Sequence, residues 1–159
     1  MAFELNVTVA GDTQLRRSFS RFAEDIKDLS PAFRAIALDF KKVEKKQFDS
    51  EGAYGSHGWK PLNPKYAAWK AKNFPGRPLM VKTGYLKESL TEENPWTIQD
   101  VKPLELHLGT RLNYALKHQT GGGRLPQRRL IDLTEEVKTR WMKIIQKHLV
   151  EKAKEEGLL

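Results

Sequence analysis

Apolar side chains recur along this chain with two different periods. Phe3, Leu5, Val7 and Val9 alternate with Glu4, Asn6 and Thr8, the period-two pattern of a strand with one buried face, and Gly11-Asp12 closes it. The period then lengthens. Leu15, Phe19, Phe22, Ile26 and Leu29 follow 4-3-4-3 spacing, which lays five large apolar side chains along one stripe of a helix over about 13–29. Ser30-Pro31 reads as an N-cap followed by proline at the first helical position, so a second helix is predicted over 31–47. Its stripe is Phe33, Ile36, Ala37, Phe40 and Val43. Lys41, Lys42, Lys45 and Lys46 crowd its end, where cations favour the negative pole of the helix dipole.

Between about 49 and 77 periodicity gives way to glycine and proline, and an irregular region is expected. Within it, 64–72 forms a short helix capped by Asn63, with Tyr66 and Trp69 on one side. Thr83 caps a further short turn that carries Leu86 and Leu90. Two strands are predicted at 96–101 and 104–108, joined at Lys102-Pro103, with Leu104, Leu106 and Leu108 on the buried face. Gly121-Gly122-Gly123 marks a flexible turn. Thr134 or Asp132 caps a last helix over about 134–150 bearing Val137, Trp141, Ile144, Ile145 and Leu149, and the charged stretch 151–157 is expected to fray.

These elements predict an α+β fold: a small antiparallel sheet, made of the N-terminal strand and the 96–108 hairpin, packed by three amphipathic helices, with long irregular basic loops. A length of 159 residues fits a single domain spanning 1–159. The loops at about 49–77 and 117–129 are expected to be mobile in an isolated subunit, because their glycines and like charges give little local reason to fold. The absence of cysteine excludes a disulfide framework, a thiolate nucleophile and any cysteine-based zinc site. No apolar run approaches the roughly 18–20 residues of a membrane span, and no unbroken apolar stretch opens the chain as a signal peptide would, so a soluble protein that stays where it is made is expected.

Charge changes the picture through its placement. Lys and Arg total 28 against 20 Asp and Glu, for a net charge of +8. The whole excess falls in two segments, 60–87 and 111–129, neither of which contains an acid. Trp59, Tyr66, Trp69, Phe74, Tyr85 and Tyr114 are interleaved with these cations. Such a mixture suits a nucleic acid, with phosphates on cations and bases on aromatic faces, or an acidic protein surface, or a solvated face above packed aromatics. No helix carries the arginine-rich face of a groove reader, which argues against sequence-specific duplex recognition. Arg124, Arg128 and Arg129 read as exposed loop positions that touch no apolar stripe.

No catalytic, cofactor-binding or metal-binding residue is predicted. His57, His107, His118 and His148 show no ligand spacing. His118-Gln119 lies beside a glycine run without a local Ser or carboxylate partner, and reads as the polar end of a short helix. Gly121-Gly122-Gly123-Arg124 lacks the Gly-Lys-Ser/Thr of a phosphate loop. Glu92-Glu93 reads as a solvated turn.

The irregular regions carry a resemblance. Phe48-Asp49-Ser50-Glu51-Gly52, then Trp59-Lys60-Pro61-Leu62 with Tyr66 and Lys70, then the run Val81 to Leu90 containing T-G-x-L-x-x-S-L occur in that order. Leu108-Gly109-Thr110, Asn113-Tyr114-Ala115, His118-Gln119-Thr120-Gly121-Gly122 and Pro126-Gln127-Arg128 follow. The combination resembles the phage virion morphogenesis family, which groups the Mu-type virion morphogenesis protein with tail completion proteins of other tailed phages. The resemblance covers roughly 40–150. Gln127 and Arg129 depart from the family pattern, which more often has alanine and proline there.

That resemblance implies a non-enzymatic structural protein at the head-tail junction of a tailed phage or prophage, acting as a ring of identical subunits, six by the family's example. Implied partners are further copies of the chain, neighbouring neck or tail-tube proteins and, non-specifically, DNA in the conduit, with no membrane. The implied location is the virion neck or top of the tail, and the host cytoplasm during assembly. Resemblance and charge together nominate a partner or subunit interface. From the W-x-P-L region come Trp59, Pro61, Leu62 and Tyr66, and from the T-G-x-L run Thr83, Gly84 and Leu86. Tyr114, His118 and Gln119 follow, with Arg124, Arg128 and Arg129. The alternative is a basic nucleic-acid-binding module, whose affinity would fall steeply with salt, and a small hydrolase is the third class considered.

Overall fold

The computed structural model describes residues 12–55 and 57–159, so the strand expected at 3–9 lies outside the described residues. In chain order they form α1 (Asp12–Asp25), α2 (Ser30–Asp49), α3 (Pro64–Asn73), α4 (Tyr85–Thr91), β1 (Thr97–Val101), β2 (Leu106–Thr110), α5 (Tyr114–Thr120) and α6 (Glu135–Glu155). The fold is α+β.

Helix α2 is the spine. Phe33, Ile36, Ala37, Phe40 and Val43 are all buried, as their spacing requires, and the helix packs on α4, α6 and both strands. It runs past the expected end to Asp49 because Phe48 continues the inner stripe into a core shared with Trp59, Val81, Leu86, Leu90 and Leu130. The N-terminus differs from expectation. Ser30 makes no side-chain cap; instead the Asp28 carboxylate accepts the Ser30 N–H at 2.9 Å, and its hydrogen bonds with Ser30 hold the Asp28 carboxyl below the usual range.

The strands pair antiparallel, with Thr97 opposite Thr110 and Val101 opposite Leu106. β2 begins later than expected and Leu104 is 62% exposed in the turn, so it does not share the buried face. Pro103 lacks an N–H for a ladder, and the turn closes instead through Lys102 N–H to the Glu105 carbonyl at 2.9 Å. The Pro103 carbonyl accepts the Leu29 N–H at 2.7 Å, which ties the hairpin to the start of α2.

Helix α1 forms where the spacing places it but ends at Asp25. Its stripe is not buried among the described residues: Leu15 and Phe19 are 51% and 54% exposed, and the helix rests lightly on α6. Helix α6 starts with Thr134 Oγ1 accepting the Val137 N–H at 3.3 Å, the expected cap. The Asp39 carboxylate of α2 receives both Arg140 and the Trp141 indole N–H, and these two donors hold the Asp39 carboxyl below its ordinary range despite its partial burial. The helix does not fray at 151. Buried Ala153 and the Lys152–Glu155 ion pair at 2.7 Å carry it to Glu155, and Gly157 at φ 70° lets Leu158 N–H close on the Ala153 carbonyl at 2.9 Å.

Candidate functional site

The segments that carry the family-like motifs are far apart in the chain and latch onto one another. At the end of α2, Glu51 and Gly52 both take positive φ, 49° and 89°, and turn the chain back. A Cβ at Gly52 would lie 2.4 Å from Trp59 Cδ1, so glycine is required by the backbone and by the indole beside it. Trp59 donates its backbone N–H to the Glu51 carbonyl at 2.7 Å and meets Phe48 edge-on with ring centres 5.2 Å apart. Its Nε1–H donates to the Arg129 carbonyl at 2.7 Å, which also accepts from Gln47 Nε2 at 3.1 Å.

The latch is reciprocal. Arg128 sends Nε–H to the Lys60 carbonyl at 2.6 Å and a terminal N–H to the Pro61 carbonyl at 2.8 Å. At 4% exposure it is a buried cross-brace, which corrects its reading as an exposed loop position. The local sequence concealed this because Arg124, Arg128 and Arg129 look alike until the fold bends W-x-P-L over P-x-R. Arg128→Met is expected to lower stability by about 3 kcal/mol, since two charge-assisted hydrogen bonds from a buried guanidinium are lost. Arg124→Glu and Arg129→Glu are expected to stay within about 0.5 kcal/mol. Urea midpoints of the three variants check this.

Gln119 is the second brace. Its Oε1 accepts the Leu130 and Ile131 N–H groups at 2.8 and 3.0 Å, while its Nε2 donates to the Ile131 carbonyl at 2.8 Å. The Arg128 N–H donates to the His118 carbonyl at 2.8 Å. In T-G-x-L-x-x-S-L, Gly84 at φ 105° starts α4 without a side-chain cap, so Thr83 does not play the expected part. The buried Ser89 hydroxyl sits 2.9 Å from the Leu86 carbonyl and 2.8 Å from Thr110 Oγ1, which joins this motif to Leu108-Gly109-Thr110.

The braces enclose one side of a cleft of about 590 Å³ between α3, residues 79–86, α5 and residues 124–128. Leu79, Met80, Leu125 and Pro126 supply apolar walls, and Tyr66, Tyr85 and Tyr114 stand exposed at the rim. Most of the expected interface residues meet here: Leu62, Tyr66, Thr83, Gly84 and Leu86 from one direction, Tyr114, His118, Arg124 and Arg128 from the other. Trp59, Pro61, Gln119 and Arg129 stand behind the cleft; the first three hold its frame, and the Arg129 side chain points to Asp132 at 3.8 Å. No carboxylate lines the cleft, whereas Lys70, Lys82, Arg124 and Arg128 do.

Lys70, one of the family-like motif positions, lies outside the residues nominated for the interface, yet it lines the cleft. The hint was its position four residues after Tyr66, on the same face of α3. It is buried, and its ammonium donates to the Pro78 carbonyl and to the Leu79 carbonyl at 2.9 Å. Burial lowers its pKa, and the Glu51 carboxylate acts in the opposite sense. The expected α3 cap is present, with Asn63 Oδ1 accepting the Lys65 N–H at 3.0 Å. Tyr66 stacks on Trp69 at 5.4 Å, Trp69 packs against Phe74 at 5.7 Å, and the Lys82 ammonium lies 5.2 Å from the centres of both the Trp69 and Phe74 rings.

His118 sits in the cleft wall edge-on to Tyr114, with Nδ1 buried and unbonded. Burial and the neighbouring Arg128 charge lower its pKa, so it is neutral near pH 7. No nucleophile or carboxylate among the described residues completes a relay with it. Among the described residues no three His, Cys, Asp or Glu side chains converge as metal ligands. No helix among them is long and apolar enough to cross a membrane.

The family model of the phage virion morphogenesis family matches residues 10–150. No curated protein and no solved structure gives a significant match.

Proposed function

This chain belongs to the phage virion morphogenesis family, and from that premise we propose that it is a structural virion protein that completes the tail or joins head to tail, working as a ring of identical subunits at the neck. The observation that carries the reading is the family match across 10–150, which includes every motif that forms the braces. The braces support it physically, because they spend these motif residues on fixing a subunit's shape, and the cleft they frame is suited to contact. On this reading the protein is not an enzyme.

The nucleic-acid reading draws less support. Two of the cations it would use, Lys70 and Arg128, are turned inward to carbonyl oxygens. Native mass spectrometry and electron microscopy of the purified protein, alone and with its neck or tail partner, are expected to show closed rings of six. Phage particles lacking the protein are expected to accumulate heads and tails that do not join. Monomer alone in every preparation, including the assembled particle, would overturn the reading.

A further inference from the structure

The cleft has an unbalanced charge. Lys82 and Arg124 are exposed along it, Lys70 and Arg128 are buried in its walls and hydrogen-bonded to carbonyls, Glu51 lies behind the wall near Lys70, and no carboxylate lines the cleft itself. Four cations along one cleft with no acid in its lining leave a positive excess there, and the buried part of it is screened less by salt than surface charge. An entering group that brings carboxylates together with apolar surface would therefore fit both the charge and the aliphatic walls.

The chain itself carries such a group. Residues 92–96, Glu92-Glu93-Asn94-Pro95-Trp96, follow α4 and lead into β1. Glu92 and Glu93 are exposed and form no ion pair among the described residues, and Trp96 is 47% exposed. The loop is held in one shape. Asn94 Oδ1 accepts the Trp96 N–H at 2.9 Å, and the Thr97 hydroxyl bonds the Glu92 carbonyl at 3.0 Å and accepts the Asn94 N–H at 3.2 Å. A loop fixed before contact loses little freedom on docking.

Helix α4 sets the geometry. The loop leaves its C-terminal end at Glu92, while the cleft is built around its N-terminal end at Gly84 and Tyr85. Seven helical residues put about 10 Å between the two ends, so the loop and the cleft lie at opposite ends of α4. A surface at one end that complements a surface at the other is a head-to-tail pair, and head-to-tail pairs close into rings when the rotation allows.

We propose that loop 92–96 of one copy of this chain docks in the tyrosine-rimmed basic cleft of the next, with the indole of Trp96 against the apolar walls and Glu92 and Glu93 facing Lys82 and Arg124. The inference rests on the ring reading above and assigns its interface.

Charge reversal in the full-length chain tests it. Glu92→Lys with Glu93→Lys, and separately Lys82→Glu with Arg124→Glu, are each expected to raise the concentration at which rings dissociate by tenfold or more in native mass spectrometry. All four together are expected to restore assembly, a rescue that misfolding cannot mimic. Because the chain has no cysteine, Glu93→Cys with Arg124→Cys in one chain should yield a ladder of disulfide-linked multimers on oxidation, and either change alone no more than dimers. Wild-type rings that survive both reversals and give no ladder overturn this interface while leaving the ring standing. A wild-type chain that never forms rings overturns both. Reversals that leave rings intact but abolish binding of an oligonucleotide or of another virion protein assign the cleft to that ligand and overturn the proposal.

Discussion

Trp59→Ala is expected to cost about 3–5 kcal/mol of folding stability, the range for removing a large buried aromatic. For a chain of 159 residues that corresponds to a fall of roughly 6–20 °C in thermal midpoint. The size follows from what the indole touches. It fills the space above Gly52, packs on Phe48 and ties the 59–62 segment to the Arg129 carbonyl. Trp59→Phe keeps most of the apolar contact and loses the Nε1 donor. Since Gln47 still bonds the same carbonyl, its cost is expected to be about 1 kcal/mol. Gly52→Ala attacks the contact from the other side, through a forbidden φ and a Cβ inside the indole, and should resemble Trp59→Ala more than Trp59→Phe. Paired unfolding curves of the three variants check the order. Equal, small losses in all of them would mean that 59–62 is not anchored by Trp59.

What the amino-acid pattern disclosed, and what it hid, divides along the range of the interactions. The inner stripe of α2, the Asn63 cap, the Thr134 cap and the hairpin depend on neighbours within a few residues, so spacing and residue type suffice to read them. The braces do not. Arg128 reaches 67 and 68 residues back to Pro61 and Lys60, and Trp59 reaches 70 residues forward to the Arg129 carbonyl. Nothing in local composition distinguishes such an arginine from the exposed Arg124 or Arg129. The resemblance nominated these residues together as an interface, and it could not say that Trp59, Gln119 and Arg128 act as braces while Tyr66, Tyr114 and Arg124 line the cleft. Helix α1 shows the converse failure. Its periodicity gave the helix correctly, but periodicity is silent on what covers the stripe, and among the described residues little does.

A buried carboxyl in α2 gives the last expected result, and here the spacing did hold a clue. Residue 44 lies four after Phe40 and four before Phe48, so Glu44 falls on the inner stripe despite the lysines around it. It is 0% exposed and neither oxygen has a hydrogen-bond partner. Gln47, also on the inner side, is satisfied by Gly55 N–H and the Arg129 carbonyl. Burial, reinforced by the negative charge of Asp132, raises the Glu44 carboxyl well above its ordinary 4.5. Such a group stays protonated in the folded chain and ionises in the unfolded one once the pH passes about 4.5. The unfolded state then binds fewer protons than the folded state, so this residue makes stability fall as pH rises from its unfolded value toward its folded one. Replacing it by an apolar side chain of similar length removes both the ionisation and the unpaired oxygens. Glu44→Met is therefore expected to be more stable than the natural chain by about 1–4 kcal/mol at pH 8, with a smaller gain at pH 5. Glu44→Gln should flatten the pH dependence in the same way but gain less, because a buried amide without partners is still costly. Urea midpoints of the natural chain and both variants at several pH values from 5 to 8.5 decide it. A difference between natural chain and Glu44→Met that is constant over this range would mean that Glu44 carries the same charge folded as unfolded.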